Sequence, residues 1–380
     1  MKLLLVGAGG YASNYLKILL DSKHSDIVWE GLVDPFYSVC QYKEQIDDAN
    51  IPVYDTMEEF YSCHAADLAI ICTPTFLHCE QSICALSHGS NVLCEKPAAP
   101  TVKEAEEMLA AEKKYGRFIA IGYQWSFSEA IQALKADVLS GTLGKPKHFK
   151  TAISWPRNRA YYQRGGGWGG CIQKSGRLIL DSIASNACAH YLHNMLFLLG
   201  DTMQTSAMPT EFRAECYRAN NIENFDTCCI KLWTASGVQM YFAATHAAQK
   251  ERNPVFEYVF EKARVVYSRD EGSQIIAQFH DGSEKVYGDP FANNFKKLWD
   301  CVDAVKKGTF PICTVQTAIA HVKLIEDIYK TTPIHGFNKE CIHVDPEKDA
   351  VYVQGLFEAF WDAYQKEELF TESAFRLFEG

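Results

Sequence analysis

The first 125 residues alternate short, almost wholly apolar runs with helix-patterned segments, and this alternation restricts the fold more than any other feature. The runs read KLLLVG (2–7), IVWEGLVD (27–34), LAIICT (68–73), NVLCEK (91–96) and FIAIGY (118–123). A strand apolar on both faces must be covered on both, and the intervening helices supply the cover. The pattern predicts a parallel, doubly wound α/β sheet.

From about residue 145 the runs lengthen and alternate: PKHFKTAISW, FDTCCIKLWTASGVQMYFAATHA, NPVFEYVFEKARVVYSR and SQIIAQFHDGSEKVYG. Polar faces, with turns at Ser236-Gly237 and Asp281-Gly282, predict a large, open, mostly antiparallel sheet. A glycine-rich loop (164–170) and a helix (186–200) interrupt it, and helices are expected near 290–307 and 313–331. The amphipathic stretch 350–366 predicts a helix packing back on the body. The expected domains are 1–125, 126–345 of α+β type, and a tail 346–380.

At 380 residues the chain is long enough for about two domains. A formal charge of −10 leaves no basic footprint for nucleic acid or an anionic membrane. No apolar run reaches the ~20 residues that span a bilayer, and MKLLLVGAGG runs straight into a glycine turn with no cleavage site. The 14 cysteines stand mostly singly inside predicted elements, without metal-finger spacing. These features predict a cytoplasmic protein with no metal site.

GAGGYA (7–12) follows the first strand and opens a helix. Gly7 permits a tight turn, Gly9 and Gly10 keep the backbone open to a pyrophosphate, and Ala12 allows close helix–strand packing. The helix beginning near Tyr11 offers its N-terminal N–H groups to phosphate. Asp34 ends the second strand, 22 positions after Ala12, where an acid holds the adenosine ribose. Pro35, Phe36 and Tyr37 follow it, with no cation for a 2′-phosphate, so NAD is expected in preference to NADP. The amino-terminal part thus reads as a Rossmann domain.

Further signals come in order: CTPTFLHCE (72–80), CEKP (94–97), GTLGKP (141–146), and His190 on a helix ahead of LLG. Together with GAGGYA they resemble the Gfo/Idh/MocA family, which includes glucose–fructose oxidoreductase and myo-inositol dehydrogenase. The resemblance implies two domains, the second carrying an open mixed sheet that often pairs subunits. A homo-oligomer, dimer or tetramer, would form through that sheet. It also implies nicotinamide-dependent oxidation of a secondary alcohol on a carbohydrate or polyol. Thr73, Pro74, His78 and Glu95 fall on the cofactor side in this reading, and Phe76 is a candidate to stack there.

Lys96 ends a parallel strand, where doubly wound sheets bind ligands. A partly desolvated ammonium there donates to the substrate hydroxyl and stabilises the alkoxide-like oxygen as hydride leaves. Pro97 follows it, in a peptide bond that the family often holds cis. A base is also needed, and histidine titrates nearest neutrality. The family's D-x-x-x-H-x-x-D pattern falls on Asn186, His190 and His193, three positions that helical spacing places on one face. Asn186 can still hydrogen-bond a sugar hydroxyl, as a candidate substrate contact, but it cannot act as a base. Either His190 is the base with His193 as relay, or the two exchange roles. Gln124, Trp155, Arg157, Tyr161, Tyr162 and Arg164 are candidate sugar contacts, aromatic faces for C–H surfaces and guanidinium groups for hydroxyls. Ser126 stands where relatives often carry arginine, which weakens the case for an acidic substrate. Three functions remain open: a sugar or cyclitol dehydrogenase, a glycoside-cleaving enzyme that oxidises transiently and then eliminates, and a non-enzymatic nucleotide or sugar sensor.

Overall fold

Six strands, β1 (Lys2–Val6), β2 (Val28–Val33), β3 (Val53–Tyr54), β4 (Leu68–Ile71), β5 (Asn91–Cys94) and β6 (Ile119–Ile121), pair in parallel. Their order, β3-β2-β1-β4-β5-β6, reverses direction between β1 and β4. The structure, a computed structural model, describes residues 1–22 and 25–372. Leu3, Leu4, Leu5, Ile70, Ile71, Val92 and Leu93 are fully buried, as both-face cover requires.

The helices between these strands start and stop where local chemistry dictates. Thr56 caps the helix Met57–Cys63 in a reciprocal capping box with Glu59. Thr101 caps the helix Val102–Tyr115, which Gly116 ends in the left-handed conformation.

The chain divides into two compact units. The first takes Met1–Tyr123 together with Phe295–Ile319; the second takes Gln124–Asn294 and the chain from Ala320 onward. Residues 295–319, assigned by sequence to the second domain, thus return to the first unit. Their helix Lys296–Lys307 packs on β4 and β5.

The second unit is built on nine strands: β7 (Pro146–Ser154), β10 (Pro209–Arg218), β11 (Thr227–Thr234), β12 (Gln239–Thr245), β13 (Arg252–Phe260), β14 (Ala263–Ser268), β15 (Ile275–Phe279), β16 (Glu284–Gly288) and β17 (Ile334–Gly336). A small hairpin, β8 (Gln173–Lys174) and β9 (Arg177–Leu178), stands apart from them. The sheet order is β16-β15-β14-β13-β7-β12-β11-β10-β17. The pairs β7–β12 and β10–β17 are parallel and the rest antiparallel. The sheet is open at β16 and β17, as expected.

Helices Glu129–Leu139 and Ala189–Leu198 pack together in this unit, and the second also touches β7. Opposite stands the helix Leu356–Lys366 with the turn Phe370–Glu372. Leu356, Phe360, Ala363, Tyr364 and Phe370 bury themselves against Ala152, Tyr217, Tyr241, Ala243 and Val255. Polar contacts frame this cover: Tyr241 Oη donates to the Glu368 carbonyl at 2.9 Å, Lys231 meets Glu372 at 2.7 Å, and the Thr371 N–H donates to Glu215 at 3.1 Å.

Three local expectations are corrected. Residues 159–167, part of the expected glycine-rich loop region, form a helix capped by the Asn158 side chain. Ala350–Val353 is a strand, β19, paired with β18 (Ile342–Asp345), so the last helix begins only at Leu356. The expected helix at 186 begins at Ala189, after a π-helical turn at Ile183–Ala187. Among the described residues no helix is long and apolar enough to cross a membrane.

Candidate functional site

The glycine turn joins β1 to the helix Ala12–Asp21. Gly7 has φ +97°, and a Cβ there would sit 2.6 Å from the Cys72 carbonyl oxygen, so only glycine lets these strand ends lie together. A Cβ at Gly9 would meet nothing within 4 Å, so open space lies on that side of the loop. Ala12 is fully buried beneath it, and no side chain caps the helix. Asp34 accepts from the Ala8 N–H at 2.6 Å and the Phe36 N–H at 2.7 Å. A carboxylate has about four lone-pair positions, and partly exposed Asp34 keeps capacity for ribose hydroxyls. Open backbone, an uncapped helix start and an acid at the end of β2 fit a dinucleotide.

At the ends of β4 and β5 the structure gathers Thr73, Pro74, His78, Glu95 and Lys96. Thr73 donates to Gln81 at 2.5 Å. His78 is buried, with Nδ1 2.8 Å from the Pro97 carbonyl and Nε2 2.9 Å from that of Thr73. Burial holds its imidazole below the usual histidine range, against the pull of both carbonyls. It ties two loops together. Phe76 is partly buried on the short turn between them. The Lys96–Pro97 bond is cis, and Lys96 is partly exposed.

Glu95 is 6% exposed and fully engaged. Tyr15 Oη donates to its Oε1 at 2.6 Å, and the Lys96 N–H donates to Oε2 at 3.3 Å. Lys297 Nζ makes a close ion pair with the same Oε1. Sequence reasoning missed Lys297. It is 0% exposed, 3.3 Å from the Gly122 carbonyl and 3.4 Å from Tyr11 Oη, and its ammonium lies 4.8 Å from the Tyr11 ring centre. Burial would lower this ammonium, but Glu95, with smaller help from Tyr11 and Cys72, more than offsets it, and Lys297 is held above an ordinary lysine. Tyr11 is 40% exposed as a residue, yet desolvation around its hydroxyl raises the phenol against the opposing Lys297 charge. A Cβ at Gly122 would come within 2.9 Å of both Glu95 oxygens, so the glycine makes room for the carboxylate.

In the second unit Asn186, His190 and His193 do not share one environment. Asn186 lies in the π-helical turn, and its amide donates to Asp181 at 2.6 Å. His190 is partly exposed, with its ring 6.4 Å from that of Tyr191. His193 is 1% exposed, 3.2 Å from Ser126 Oγ and stacked on Phe197. Burial, reinforced by His321 and Lys135, holds His193 neutral far below the usual range. Gln124 opens the unit, partly buried, on a short turn.

The aromatic stretch is organised by another residue that the sequence did not announce. Asp181 accepts from the Gly170 N–H at 2.6 Å, from Asn186 and from Arg164 at 3.2 Å. Arg164, expected on substrate, is instead latched there, with its guanidinium 3.9 Å from the Tyr161 ring centre. Trp155 donates to Asn253 at 3.1 Å, and Arg157 stacks over Trp155 and Tyr161 at 5.3 and 5.1 Å. Buried His246 meets the Trp155 carbonyl through Nδ1 at 2.7 Å. A carbonyl only accepts, so Nδ1 carries the proton and Nε2 is left as an acceptor. Burial and the Arg157 charge hold this ring neutral, down to about 3. His246 Nε2 and Tyr162 Oη are both buried without a partner among the described residues.

A glycine turn of this build on a sheet of this order defines a dinucleotide-binding domain. The chain belongs to the Gfo/Idh/MocA oxidoreductases: residues 1–123 match that family's NAD-binding Rossmann fold, and residues 131–266 match its C-terminal domain. A 2,7-anhydro-N-acetylneuraminate hydratase from Mediterraneibacter gnavus is 24% identical over 189 residues, 50% of this chain and 48% of that one. A D-glucoside 3-dehydrogenase from Escherichia coli is 32% identical over 96 residues, 25% and 27% of the two chains. The chain thus spans about half or less of these curated relatives. The WlbA dehydrogenase from Bordetella pertussis, in complex with NADH and UDP-GlcNAcA, superposes with a TM-score of 0.72 at 19% identity, over 87% of this chain and 96% of that one. That likeness establishes the fold.

Proposed function

We propose that this chain is an NAD-dependent oxidoreductase that interconverts a secondary alcohol of a sugar, glycoside or cyclitol and the corresponding ketone. The observation that carries the reading is Lys96 at the carboxyl end of β5, partly exposed beside a Glu95 whose charge is already met. NAD, when bound at the glycine turn, supplies the hydride acceptor. Lys96 donates to the reacting oxygen and stabilises its developing charge. His190 takes the hydroxyl proton. His193, buried and held neutral, supports the helix from inside. Trp155, Tyr161 and Tyr162 offer aromatic faces, Arg157 and Gln124 offer donors, and His246 Nε2 offers an acceptor for a substrate O–H. Arg164 acts by holding Tyr161 in place.

The test is turnover of a panel of sugars, glycosides, cyclitols and sugar acids, followed by nicotinamide fluorescence. Lys96→Ala is expected to lower kcat about 10²–10⁴-fold with NADH still bound. Near-normal turnover in that variant overturns the reading.

A second reading draws on one comparison: the relative from M. gnavus is named a hydratase, an activity without net oxidation. Transient oxidation at one carbon acidifies the neighbouring C–H. Loss of that proton and of a β-substituent then follows, and returning the hydride restores the alcohol. Product formation without net NADH release distinguishes this course from the first.

A further inference from the structure

We propose that Lys297 is a positioning residue: it binds Glu95 so that the Glu95 carboxylate does not capture the Lys96 ammonium, which is thereby kept for the substrate oxygen. This rests on the role given to Lys96 above. Lys297 itself is 0% exposed and so meets no ligand; its effect passes through Glu95. A buried carboxylate deprived of its cation takes up a proton or draws in the nearest positive group. The cation next in the chain is Lys96, whose own backbone N–H already touches Glu95.

Three features show that the pairing with Lys297 is built. Tyr15 Oη shares Oε1 with Lys297 and fixes the carboxylate plane. Tyr11, Tyr15 and Phe295 surround the Lys297 ammonium with ring faces at 4.8, 5.5 and 5.9 Å. Gly122 leaves the space that the carboxylate fills. With Glu95 neutralised from within, Lys96 turns its ammonium to the substrate oxygen without working against an adjacent carboxylate.

The test is an NMR titration of Lys96 in protein labelled at lysine Cε, alongside kcat–pH profiles, NADH affinity and melting temperature. In Lys297→Met, the Lys96 midpoint is expected to rise by about one unit and kcat to fall about 10–100-fold, with NADH still bound. Adding Glu95→Gln removes the competing charge, so the midpoint and most of kcat return. A purely structural role lowers the melting temperature but leaves the midpoint and pH profile where they were, and that result overturns the proposal. If Lys297→Met does not fold, Lys297→Gln is titrated in its place: a raised Lys96 midpoint supports the proposal, and an unchanged one refutes it. An inactive Lys96→Ala beside an unaltered Lys297→Met sinks this inference alone. An active Lys96→Ala sinks the reading beneath it.

Discussion

His246 is neutral because its surroundings leave a charge nowhere to go. It lies between the Trp155 carbonyl and two guanidinium groups, and protonation waits until about pH 3. Its Nε2 therefore accepts throughout the working range. His246→Phe should raise KM about 10-fold, the worth of one hydrogen bond at roughly 1.4 kcal/mol. It should leave kcat within a few-fold and add no inflection between pH 5 and 8; an unchanged KM for every sugar removes His246 from the recognition site. Asp181→Asn should act more broadly, because an amide in its place cannot accept from three donors through two carboxylate oxygens. Weaker substrate binding together with a lower melting temperature is expected. Gly7, Asp34 and Lys96 were legible in the sequence because each stands at a strand end whose position the apolar runs mark, and Ala12 because it opens the helix after the glycine turn. Lys297 had a fainter signal: Cys301 and Ala304, four and seven residues on, are buried with it on one helical stripe. Its partner lies 202 residues away, and no local pattern reaches that far.

Among the elements, the helix Val102–Tyr115 and β6 share a titrating joint. Glu112, near the helix end, accepts the Ile119 N–H at 2.6 Å, and burial raises its carboxyl to about 7. The folded state therefore holds a proton that the unfolded chain gives up near 4.5. Stability from this group is full at low pH and declines as pH rises from about 4.5 to 7. Urea midpoints of wild type against Glu112→Gln should show the variant gaining by about 2 kcal/mol at pH 8 relative to pH 5. A constant difference across that range would show that the carboxyl is not so perturbed. The parallel strands were readable because both-face burial leaves unbroken apolar runs, and the antiparallel hairpins because turn residues sit between alternating runs. The helix over 159–167 was not, since the glycines at its end mask a start fixed by the Asn158 cap. Nor was β19: AVYV suits a strand or the opening of a helix, and pairing with Ile342–Asp345 decides between them.

For the whole molecule, the cover on the nine-stranded sheet bears on assembly. Sheet pairing between subunits, implied by the resemblance, would compete with residues 356–372 for Tyr217, Tyr241 and Ala243, or would use the β13–β16 end. Phe360 is fully buried in that cover. Phe360→Asp should loosen it, because burying an unpaired carboxylate costs several kcal/mol. Sedimentation velocity should then show self-association beyond that of wild type. Identical sedimentation of the two proteins would mean that the covered face takes no part in assembly.

The ion pair between Glu95 and Lys297 also sets a timetable. On the ribosome Glu95 emerges long before the ammonium that neutralises it, with nearly the whole second sheet translated between them. The surroundings of Glu95 are therefore completed only after synthesis has passed residue 297. A nascent chain stalled short of that point should remain protease-sensitive around CEKP, and one released just beyond it should become resistant.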